Sequence, residues 1–549
     1  MNETTIEWLA RWAAELRFED IPERVKAKAR LQQASVIAAS FAGLHDDGAR
    51  RVIDATRKHG GNGGARVIAG GFRTSRPAAV LANASVSCTF DYDEILLLGH
   101  PGHSSVTVPL VLGEELGASR DDILAAQVAA NEIQGRLGLA TFLGPQNGQM
   151  LPYLHCAGAA IAAGRLLRLN AKETAHALAV ALAQPPAALW PAFLGSMDGK
   201  ILTAAHGASA GVFAAELAAE GFTGALDLLD HERGFFHRFT FVPFHGALTG
   251  LGRAWLTDTL QVKLHAACWY YQGLLDALHD AVGRVSRERG RALRPSDIRR
   301  VTCRVTALAK AVDASEGGGS RGRLLANEVN FSIPAAVAVM LLRGQLLPAD
   351  LTAHRLNEIE RDVRELAARV EVVHDRAMTG NMLRSVDEAI DVVSLAAPVS
   401  GRELAAAGRA ARREFPRASV LDARDLMAIL PALPRLVRRH RAAREASYDL
   451  GDRPVEQCVL SIPGAFEIEL ADGRRLEGEG VVPEGALSLA GAAQKVAAKL
   501  CSSSHEILSE SDIERLWNAI TNAKTGVSID ELAAALDAVP AGQRRFDRR

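Results

Sequence analysis

The sequence lacks an excess of charge of either sign. Its 549 residues include 63 Lys and Arg against 64 Asp and Glu, which gives a formal net charge of −1. A neutral chain offers no general electrostatic attraction to nucleic acid or to an anionic membrane. We therefore expect neither as a partner, and an anionic ligand would have to be held by local cations.

Cysteine is scarce as well. The six cysteines are far apart and form no C-x-x-C pair: Cys88, Cys156, Cys268, Cys303, Cys458 and Cys501. This spacing argues against a disulfide framework and against a structural zinc site. A cytoplasmic location fits it best. The amphipathic amino-terminal segment, which carries Glu3, Glu7 and Glu15, does not look like a secretory signal.

Long apolar runs and nucleophile motifs are also missing. No segment reaches the roughly 18 uncharged apolar residues that a membrane-spanning helix needs, so we expect no span. There is no G-x-S-x-G in a strand–turn–helix setting, and Cys268 has no flanking pattern of a thiol enzyme. The glycine cluster at 59–64 is followed by neither a Walker nor a dinucleotide-binding pattern.

The chain is long, and the spacing of its apolar residues is typical of helices. Hydrophobic residues make up 48% of it, which is enough for two or three domains with sizeable cores. Apolar residues recur at three- and four-residue spacing and Ala is frequent, which predicts closely packed helices. The predicted segments are 25–41, 121–137, 160–169, 172–182 and 208–219. Ser119 and Asn170 are predicted to cap two of them.

From Lys263 onward the sequence predicts strands as well as helices. The predicted elements are a helix over 268–281, a strand from Ile298, a helix after Pro334, a helix through 363–375, Arg-rich helix over 400–447, a hairpin over 461–477 with an Asp472-Gly473 turn, and helix over the last 60 residues. The predicted fold is mainly α, with a smaller α+β domain. A large helical domain is interrupted by the α+β domain, a helical tail rejoins the first part, and a cleft between them is the natural site.

The segment FDYDEILLLGHPGHSSVTVP, at 90–109, concentrates titratable side chains between two apolar helical runs. These side chains are Asp91, Asp93, Glu94, His100 and His103. Burying such groups costs several kcal/mol unless they are paired, so a functional site explains their density better than core packing does. The Pro-Gly pair between the two histidines predicts a loop there.

Three interpretations of His100 and His103 stay open. They are metal ligands together with Asp91 or Asp93, they are acid–base groups, or one of them is a hydrogen-bonded structural residue. An H-x-x-H spacing on a loop has low specificity for a metal. Acid–base catalysis suits imidazole, because its pKa lies near neutrality and a nearby carboxylate would orient the ring and raise that pKa.

Two lysines are predicted near helix starts, where the helix macrodipole disfavours a cation. Lys200 lies just before the small-residue helix that begins near Ala204, and Lys263 opens the segment KLHAACWYYQG. Each is either an ordinary surface residue or an anion-binding group. A core or surface role is favoured for the lone histidines His155, His206, His231 and His265, least strongly for His265, which shares a turn with Lys263.

A series of motifs follows in fixed order along the chain. They are FDYDE, HPG, P-x-x-L-x-x-E-L-G from Pro109, NEIQGRLG from Asn131, MDGK at Lys200, GVFAAELAAEGFTG from Gly211, DHERGFF from Asp230, VKLHAAC at Lys263 and NFSIPAAVAVMLLRGQ from Asn330. Together they resemble the 2-methylcitrate dehydratase (MmgE/PrpD) family, which also contains cis-aconitate decarboxylase and iminodisuccinate epimerase. The resemblance runs from about residue 5 to 375 and resumes at 462–483.

This resemblance implies a helical domain built from both chain ends, an α+β lid domain, a homodimer, and a cleft site without a metal or redox cofactor. We accordingly place the helical domain at 1–263, the lid domain at 264–483 and the returning helical tail at 484–549. Residues near 376–452 look like an inserted helical block.

The family's site residues carry over position by position. Asp91 and Asp93 match its acidic pair, and Lys200 and Lys263 match its two lysines. Its first histidine matches either His100, which has the HPG tripeptide, or His103, whose spacing to Pro109 is closer.

The chain also departs from the family pattern. The family's second histidine is expected near Gln149, whereas His155 comes six residues later. The family's Ser-x-Pro-Tyr appears as Ser332-Ile333-Pro334-Ala335, so the tyrosine hydroxyl is missing. Gln272 stands where a histidine is usual.

The leading hypothesis is a cofactor-independent lyase, of the dehydratase or decarboxylase type, that transfers a proton next to a carboxylate of a small carboxylic acid. Lys200 and Lys263 would hold carboxylate oxygens and stabilise an enolate-like transition state. His103 or His100 would move the proton, held by Asp93 or Asp91.

Other assignments accompany this hypothesis. The expected substrate-binding residues are Asp91, Lys200, Lys263, His265, Tyr270 and Gln272. Tyr270 or Tyr271 either replaces the missing lid hydroxyl or packs in the core. The alternative functions are a racemase, epimerase or isomerase of a dicarboxylate, with His103 and a lysine as its two bases, a ligand-binding homologue without activity, and a metal hydrolase.

Overall fold

The computed structural model describes residues 3–68, 70–97, 99–144, 152–187, 198–313, 323–414, 438, 448–521 and 533. The helices of the first half are α1 Thr5–Glu15, α2 Glu23–Gly43, α3 Asp47–His59, α4 Arg76–Cys88, α5 Gly102–Ser105, α6 Thr107–Leu116, α7 Arg120–Ala140, α8 Pro152–Leu166, α9 Ala171–Ala183, α10 Leu202–Ala219 and α11 Phe235–Phe239. Those of the second half are α12 Gln272–Arg289, α13 Ala307–Val312, α14 Ala326–Asn330, α15 Ile333–Arg343, α16 Ala353–Ala367, α17 Arg376–Ile390, α18 Val392–Leu395, α19 Gly401–Glu414, α20 Ala492–Ser504 and α21 Glu510–Thr521. The strands are β1 Ala65–Val67, β2 Phe72–Thr74, β3 Glu94–Leu96, β4 Leu260–Val262, β5 Ile298–Val305, β6 Val370–His374, β7 Gly464–Leu470 and β8 Arg475–Gly480. The predicted class, mainly α with a smaller α+β part, is confirmed.

The predicted helices of the first half are present because their signals are local. Segments 25–41, 121–137 and 172–182 correspond to α2, α7 and α9. Ser119 Oγ accepts the Asp122 amide at 3.0 Å, and Asn170 Oδ1 accepts the Glu173 amide at 3.0 Å. Both predicted caps therefore satisfy amides that the helix itself leaves without a partner.

Small residues let α8 and α10 approach each other closely. A Cβ atom on Gly207 would lie 2.2 Å from the carbonyl oxygen of Pro152, and one on Gly211 would lie 2.3 Å from that of Cys156. Both helices begin earlier than the predicted starts at 160 and 208. Contact between the two helices stabilises these extra first turns, for which the sequence gives only a weak helical signal. Within the described ranges, Asp198–Ala219 is the one helix whose length and composition could cross a membrane, yet 61% of its apolar window is buried inside the protein.

The α+β part is built on a four-stranded sheet in the order β6-β5-β7-β8. β5 pairs in parallel with β6 and antiparallel with β7, and β7 and β8 form the predicted hairpin around Gly473, whose φ of 87° suits glycine. One prediction is wrong here, since α16 ends at Ala367 and residues 370–374 form β6 instead of continuing the helix. Their β-branched side chains suit a strand, and pairing with β5 supplies the backbone hydrogen bonds.

The two ends of the chain meet in the helical part. α20 and α21 pack against α2, and Val496 and Leu500 share one large buried cluster with Ile6. A second buried cluster joins α12, α15 and β5 to Phe90 and Tyr92. The acidic segment therefore lies where the helical core meets the core of the α+β part.

The predicted insertion near 376–452 contains α17, α18 and α19 among its described residues. Side chains from α17 and α18, such as Ile390 and Leu395, join the large helical cluster. Most of the Arg-rich stretch at 435–444 lies outside the described residues.

Candidate active site

The site is organised by the pairing of two short strands. β3 and β4 are antiparallel, with Glu94 opposite Val262. Lys263 directly follows β4, and its amide donates to the carbonyl of Asp93 at 3.0 Å. The pairing brings these two residues together although 170 positions separate them. Lys263 thus follows a strand and does not begin a helix, which corrects the predicted local structure.

Asp91 bridges the two predicted lysines. Its backbone lies in the left-handed region, with φ of 53°, which Asp adopts more readily than most residues. Lys200 Nζ donates to Oδ1 at 2.9 Å and Lys263 Nζ donates to Oδ2 at 2.8 Å, and all three side chains are buried. Burial opposes ionisation of Asp91, but the two ammonium groups outweigh burial and lower its pKa to about 2.

Lys263 extends this chain of charges to Asp93, donating to its Oδ1 at 2.9 Å. Burial opposes the charge of Lys263, yet the carboxylates of Asp91 and Asp93 raise its pKa above the ordinary value. Burial also opposes the charge of Asp93, but His100 and Lys263 hold the pKa of Asp93 well below its usual range. Opposite charges therefore alternate from Lys200 to Asp93 through the interior.

Lys200 lies on a 3-10 turn directly before α10, as predicted. Its Nζ is 4.7 Å from the centre of the Phe331 ring, within range of a cation–π contact. The side-chain amide of the neighbouring Asn330 donates to the carbonyl oxygens of Phe90 at 3.1 Å and Ala266 at 2.6 Å. The α+β part is thus tied to the acidic segment immediately beside the lysines.

Both predicted histidines face Asp93. His100 Nδ1 contacts Asp93 Oδ2, and His103 Nε2 lies 3.4 Å from the same oxygen. His100 Nδ1 also lies 2.6 Å from the backbone oxygen of Glu94, which can only accept, so this nitrogen carries a hydrogen. The neutral His100 ring therefore has its lone pair on Nε2. His103 Nδ1 is 2.8 Å from Ser87 Oγ.

The segment between the histidines is not entirely a loop, which corrects the prediction. α5 begins at Gly102, so His103 lies on its first turn. A proline prevents a helix from continuing through it but is well suited to a helix start, and the Pro101 carbonyl accepts the Ser104 and Ser105 amides. Glu94 Oε1 accepts the Gly102 amide at 2.6 Å and fixes this start.

His155 belongs to this site, although its sequence setting favoured a core or surface role. Its ring centre lies 6.0 Å from that of His103, and its Nδ1 is 2.8 Å from Ser104 Oγ. Burial, with His103 and His100 nearby, holds the pKa of His155 well below its usual range. Its Nε2 is buried without a hydrogen-bond partner among the described residues. No sequence motif marked this contact, because α8 and α5 meet only in the folded chain.

His265 and Gln272 support the site from outside it. Gln272 Oε1 accepts the amide of His265 at 3.2 Å, and its Nε2 donates to the carbonyl oxygens of His265 and Ala267 at 3.0 and 3.2 Å. The His265 ring pairs with Asp276 Oδ1 at 3.0 Å. Both side chains thus form hydrogen bonds within the protein. These bonds hold the loop that follows Lys263.

The remaining predicted positions lie at the edge of the site. Tyr270 packs with Ile95 and Trp269, while the Tyr271 hydroxyl donates to the Phe331 carbonyl at 3.3 Å. Ala335 is buried in the first turn of α15, where its amide donates to Ser332 Oγ at 3.2 Å. Gln149 lies outside the described residues.

No group of three or more His, Cys, Asp or Glu side chains within the described parts of the chain is arranged to hold a metal ion. The carboxylates nearest the histidines pair with lysine ammonium groups, which would repel a metal cation. The arrangement suits other chemistry: two buried cations beside two imidazoles can bind an anion and move a proton next to it.

Two family models match the chain, the MmgE/PrpD N-terminal domain over residues 7–243 and the MmgE/PrpD C-terminal domain over residues 265–415. A cis-aconitate decarboxylase-like protein of Aspergillus oryzae is 26% identical over 371 residues, covering 64% of this chain and 76% of the relative. A cis-aconitate decarboxylase of Aspergillus terreus is 26% identical over 384 residues, covering 66% and 76%. Asp91, Asp93, His100 and Lys200 fall within the first match, and Lys263 lies between the two.

Proposed function

Because the chain belongs to the MmgE/PrpD family, we propose that it is a lyase that acts on a small carboxylic acid. The observation that carries this proposal is the chain of buried charges in which Asp91 joins Lys200 to Lys263 and Asp93 joins Lys263 to two imidazoles. The names of the relatives, both cis-aconitate decarboxylases or similar proteins, support the lyase class.

The lysines would bind the substrate carboxylate. An ammonium group has three N–H donors; Lys263 gives one to Asp91 and one to Asp93, and Lys200 gives one to Asp91. The donors that remain could hold a substrate carboxylate and stabilise the negative charge that develops as it becomes enolate-like. Such stabilisation is strongest in a site shielded from water, as this one is.

The imidazoles would move the proton. In a decarboxylation, the carbon–carbon bond breaks, its electron pair stays on the substrate, carbon dioxide leaves, and a protonated imidazole gives a proton to that carbon. In a dehydration, His100 Nε2 takes the proton from the carbon next to the carboxylate, the C–H electrons form the double bond, and hydroxide leaves as water with a proton from His103. Asp93, which contacts both rings, would hold them in place. Neither version assigns a step to a metal or redox cofactor.

The test is turnover of a panel of carboxylic acids followed by proton NMR in D2O, beginning with cis-aconitate and 2-methylcitrate. We expect loss of carbon dioxide or water from at least one substrate. Lys200→Met should abolish that turnover and keep the far-UV circular dichroism of the wild type. Lys495→Met is the matched control, because Lys495 lies on α20 and pairs with Glu484 at the surface.

Three results would contradict the proposal. Solvent exchange at carbon without a new product would indicate a racemase or epimerase. Thermal stabilisation by a tricarboxylate without exchange or turnover would indicate a binding protein. Wild-type turnover in Lys200→Met would remove the lysine from the mechanism.

A further inference from the structure

One buried lysine near the site has no part in the mechanism above. Lys499 lies on α20, in the carboxy-terminal part of the chain, and only 2% of its surface is exposed. Burying an ammonium group is costly unless its donors are matched, and an aliphatic side chain would fill the same space without that cost. Packing alone therefore does not explain a lysine here.

The contacts of Lys499 identify what its charge does. Its Nζ donates to the carbonyl oxygen of Tyr92 at 2.7 Å, to that of Lys263 at 2.9 Å and to Ser35 Oγ at 2.9 Å. The carbonyl oxygen of Asp93 is a more distant fourth acceptor at 3.4 Å. The same Nζ lies 4.0 Å from the centre of the Tyr92 ring. Three N–H donors thus meet three acceptors from α2, the acidic segment and the end of β4.

Two of these acceptors belong to the backbone that carries the site. Tyr92 stands between Asp91 and Asp93, so a shift of its carbonyl group would displace both carboxylates. The Lys263 carbonyl belongs to the residue whose ammonium group those carboxylates bind. A single ammonium group therefore ties together the two segments whose relative position sets the distances in the charge chain.

We propose that Lys499 is a positioning residue of the reaction, which fixes Asp91 and Asp93 relative to Lys263 by tying the carbonyl groups of Tyr92 and Lys263 together. It acts through the backbone, because its ammonium group donates to the carbonyl oxygens of Tyr92 and Lys263. This inference rests on the proposed function for its effect on turnover, whereas its effect on the backbone is independent of any substrate.

The first test is hydrogen–deuterium exchange of the full-length protein, measured by mass spectrometry without substrate. Lys499→Met should speed exchange of the peptides that cover 90–97 and 260–266, because their backbone loses a shared anchor. Peptides from β5 and β7 should exchange as in the wild type. Lys495→Met, the same substitution one turn earlier on α20 at a half-buried position, should change neither set.

The second test is steady-state kinetics with cis-aconitate, or with whichever acid of the panel the wild type converts. Misplacing reacting groups by about an ångström can cost on the order of 100-fold in rate. We expect kcat of Lys499→Met to fall at least tenfold while KM changes by less than about threefold, because the lysines that bind substrate remain. Ser35→Ala, which removes one acceptor and keeps the lysine, should show a smaller fall in kcat.

These two tests separate the possible failures. A wild type that converts no acid would overturn the proposed function. The positioning role of Lys499 would then be decided by hydrogen–deuterium exchange, which needs no substrate. Unchanged exchange at 90–97 and 260–266 in a folded Lys499→Met would overturn the positioning role. So would a lower melting temperature with wild-type kcat, since that combination describes a lysine that serves stability alone. If Lys499→Met does not fold, unchanged exchange and kcat in Ser35→Ala would overturn the role.

Discussion

The Lys263 ammonium group and the Asp91 carboxylate, 172 residues apart in the chain, form a buried ion pair of 2.8 Å. Both side chains are buried, so each depends on the other and on its next neighbour for compensation of its charge. Lys263 forms ion pairs with both Asp91 and Asp93, whereas Lys200 forms an ion pair with Asp91. The two lysines therefore differ in what their loss would leave behind.

We predict that Lys263→Met destabilises the protein more than Lys200→Met does. Removing one partner of a buried ion pair typically costs about 3–5 kcal/mol, because a charge is left uncompensated. Lys263→Met leaves two carboxylates short of a partner, while Lys200→Met leaves Asp91 paired with Lys263. Urea unfolding at pH 7 measures both changes. Equal losses would mean that the carboxylates do not depend on Lys263 as the contacts indicate.

We predict that His100→Gln abolishes proton exchange at the substrate carbon. The Nδ1–H of His100 is held by the Glu94 carbonyl, so Nε2 is the basic atom of the neutral ring, and glutamine has no such base. The measurement is deuterium incorporation from D2O, with circular dichroism to verify folding. His103→Gln should slow product formation in a dehydration and spare more of the exchange. The reverse pattern would exchange the two roles.

We predict that Gly102→Ala reduces turnover by about 10- to 100-fold. A Cβ atom at this position would lie 2.2 Å from Glu94 Oε1 and 2.6 Å from Val36 Cγ2. Either the Glu94 carboxylate must release the Gly102 amide or the start of α5 must shift, and both changes loosen the position of His103. Gly380→Ala is the control, because nothing lies within 4 Å of a Cβ there. That change, inside α17, should leave turnover unchanged and stabilise by at most about 1 kcal/mol. Wild-type turnover in Gly102→Ala would show that the site tolerates a shift of α5.

We predict that Lys499 makes the protein more stable as the pH rises above neutrality. Burial lowers the pKa of Lys499 to about 7, although Asp93 and Glu94 oppose this shift, whereas an unfolded lysine titrates near pH ~10.4. Between these values the unfolded chain binds one more proton, so the free energy of unfolding increases by up to about 1.4 kcal/mol per pH unit. Urea unfolding of wild type and Lys499→Met at pH 7, 8 and 9 should show a difference that grows in favour of the wild type. Parallel curves would mean that Lys499 keeps an ordinary pKa.

Sequence predicted those parts of the structure that local signals determine. The caps at Ser119 and Asn170 act within one helical turn, so their residues sufficed to locate two helix starts. Residues 370–374 follow a helical stretch without a glycine or proline, and only the partner strand β5 makes them β6. A strand that depends on a distant partner cannot be located from its own residues alone.

The same distinction applies to the site. The sequence alone shows the cluster of Asp91, Asp93, His100 and His103, because these residues are close together in the chain. The order of the family motifs assigned Lys200 and Lys263 to the same site. His155 and Lys499 carry no motif, because one meets the site through the contact of α8 with α5 and the other through α20. Gln272 was visible as a departure, but its bonds to the loop after Lys263 depend on the folded backbone.

The meeting of the chain ends affects how the protein is made. Ser35 and Lys499 bond to each other across 464 positions of sequence, so a ribosome must synthesise α20 before this contact can form. Pairings this distant fold slowly, since their ordering entropy is lost before the contact compensates for it. We expect turnover to appear only after α20 has left the ribosome, so a shorter nascent chain would hold the aspartates and Lys200 without a working site.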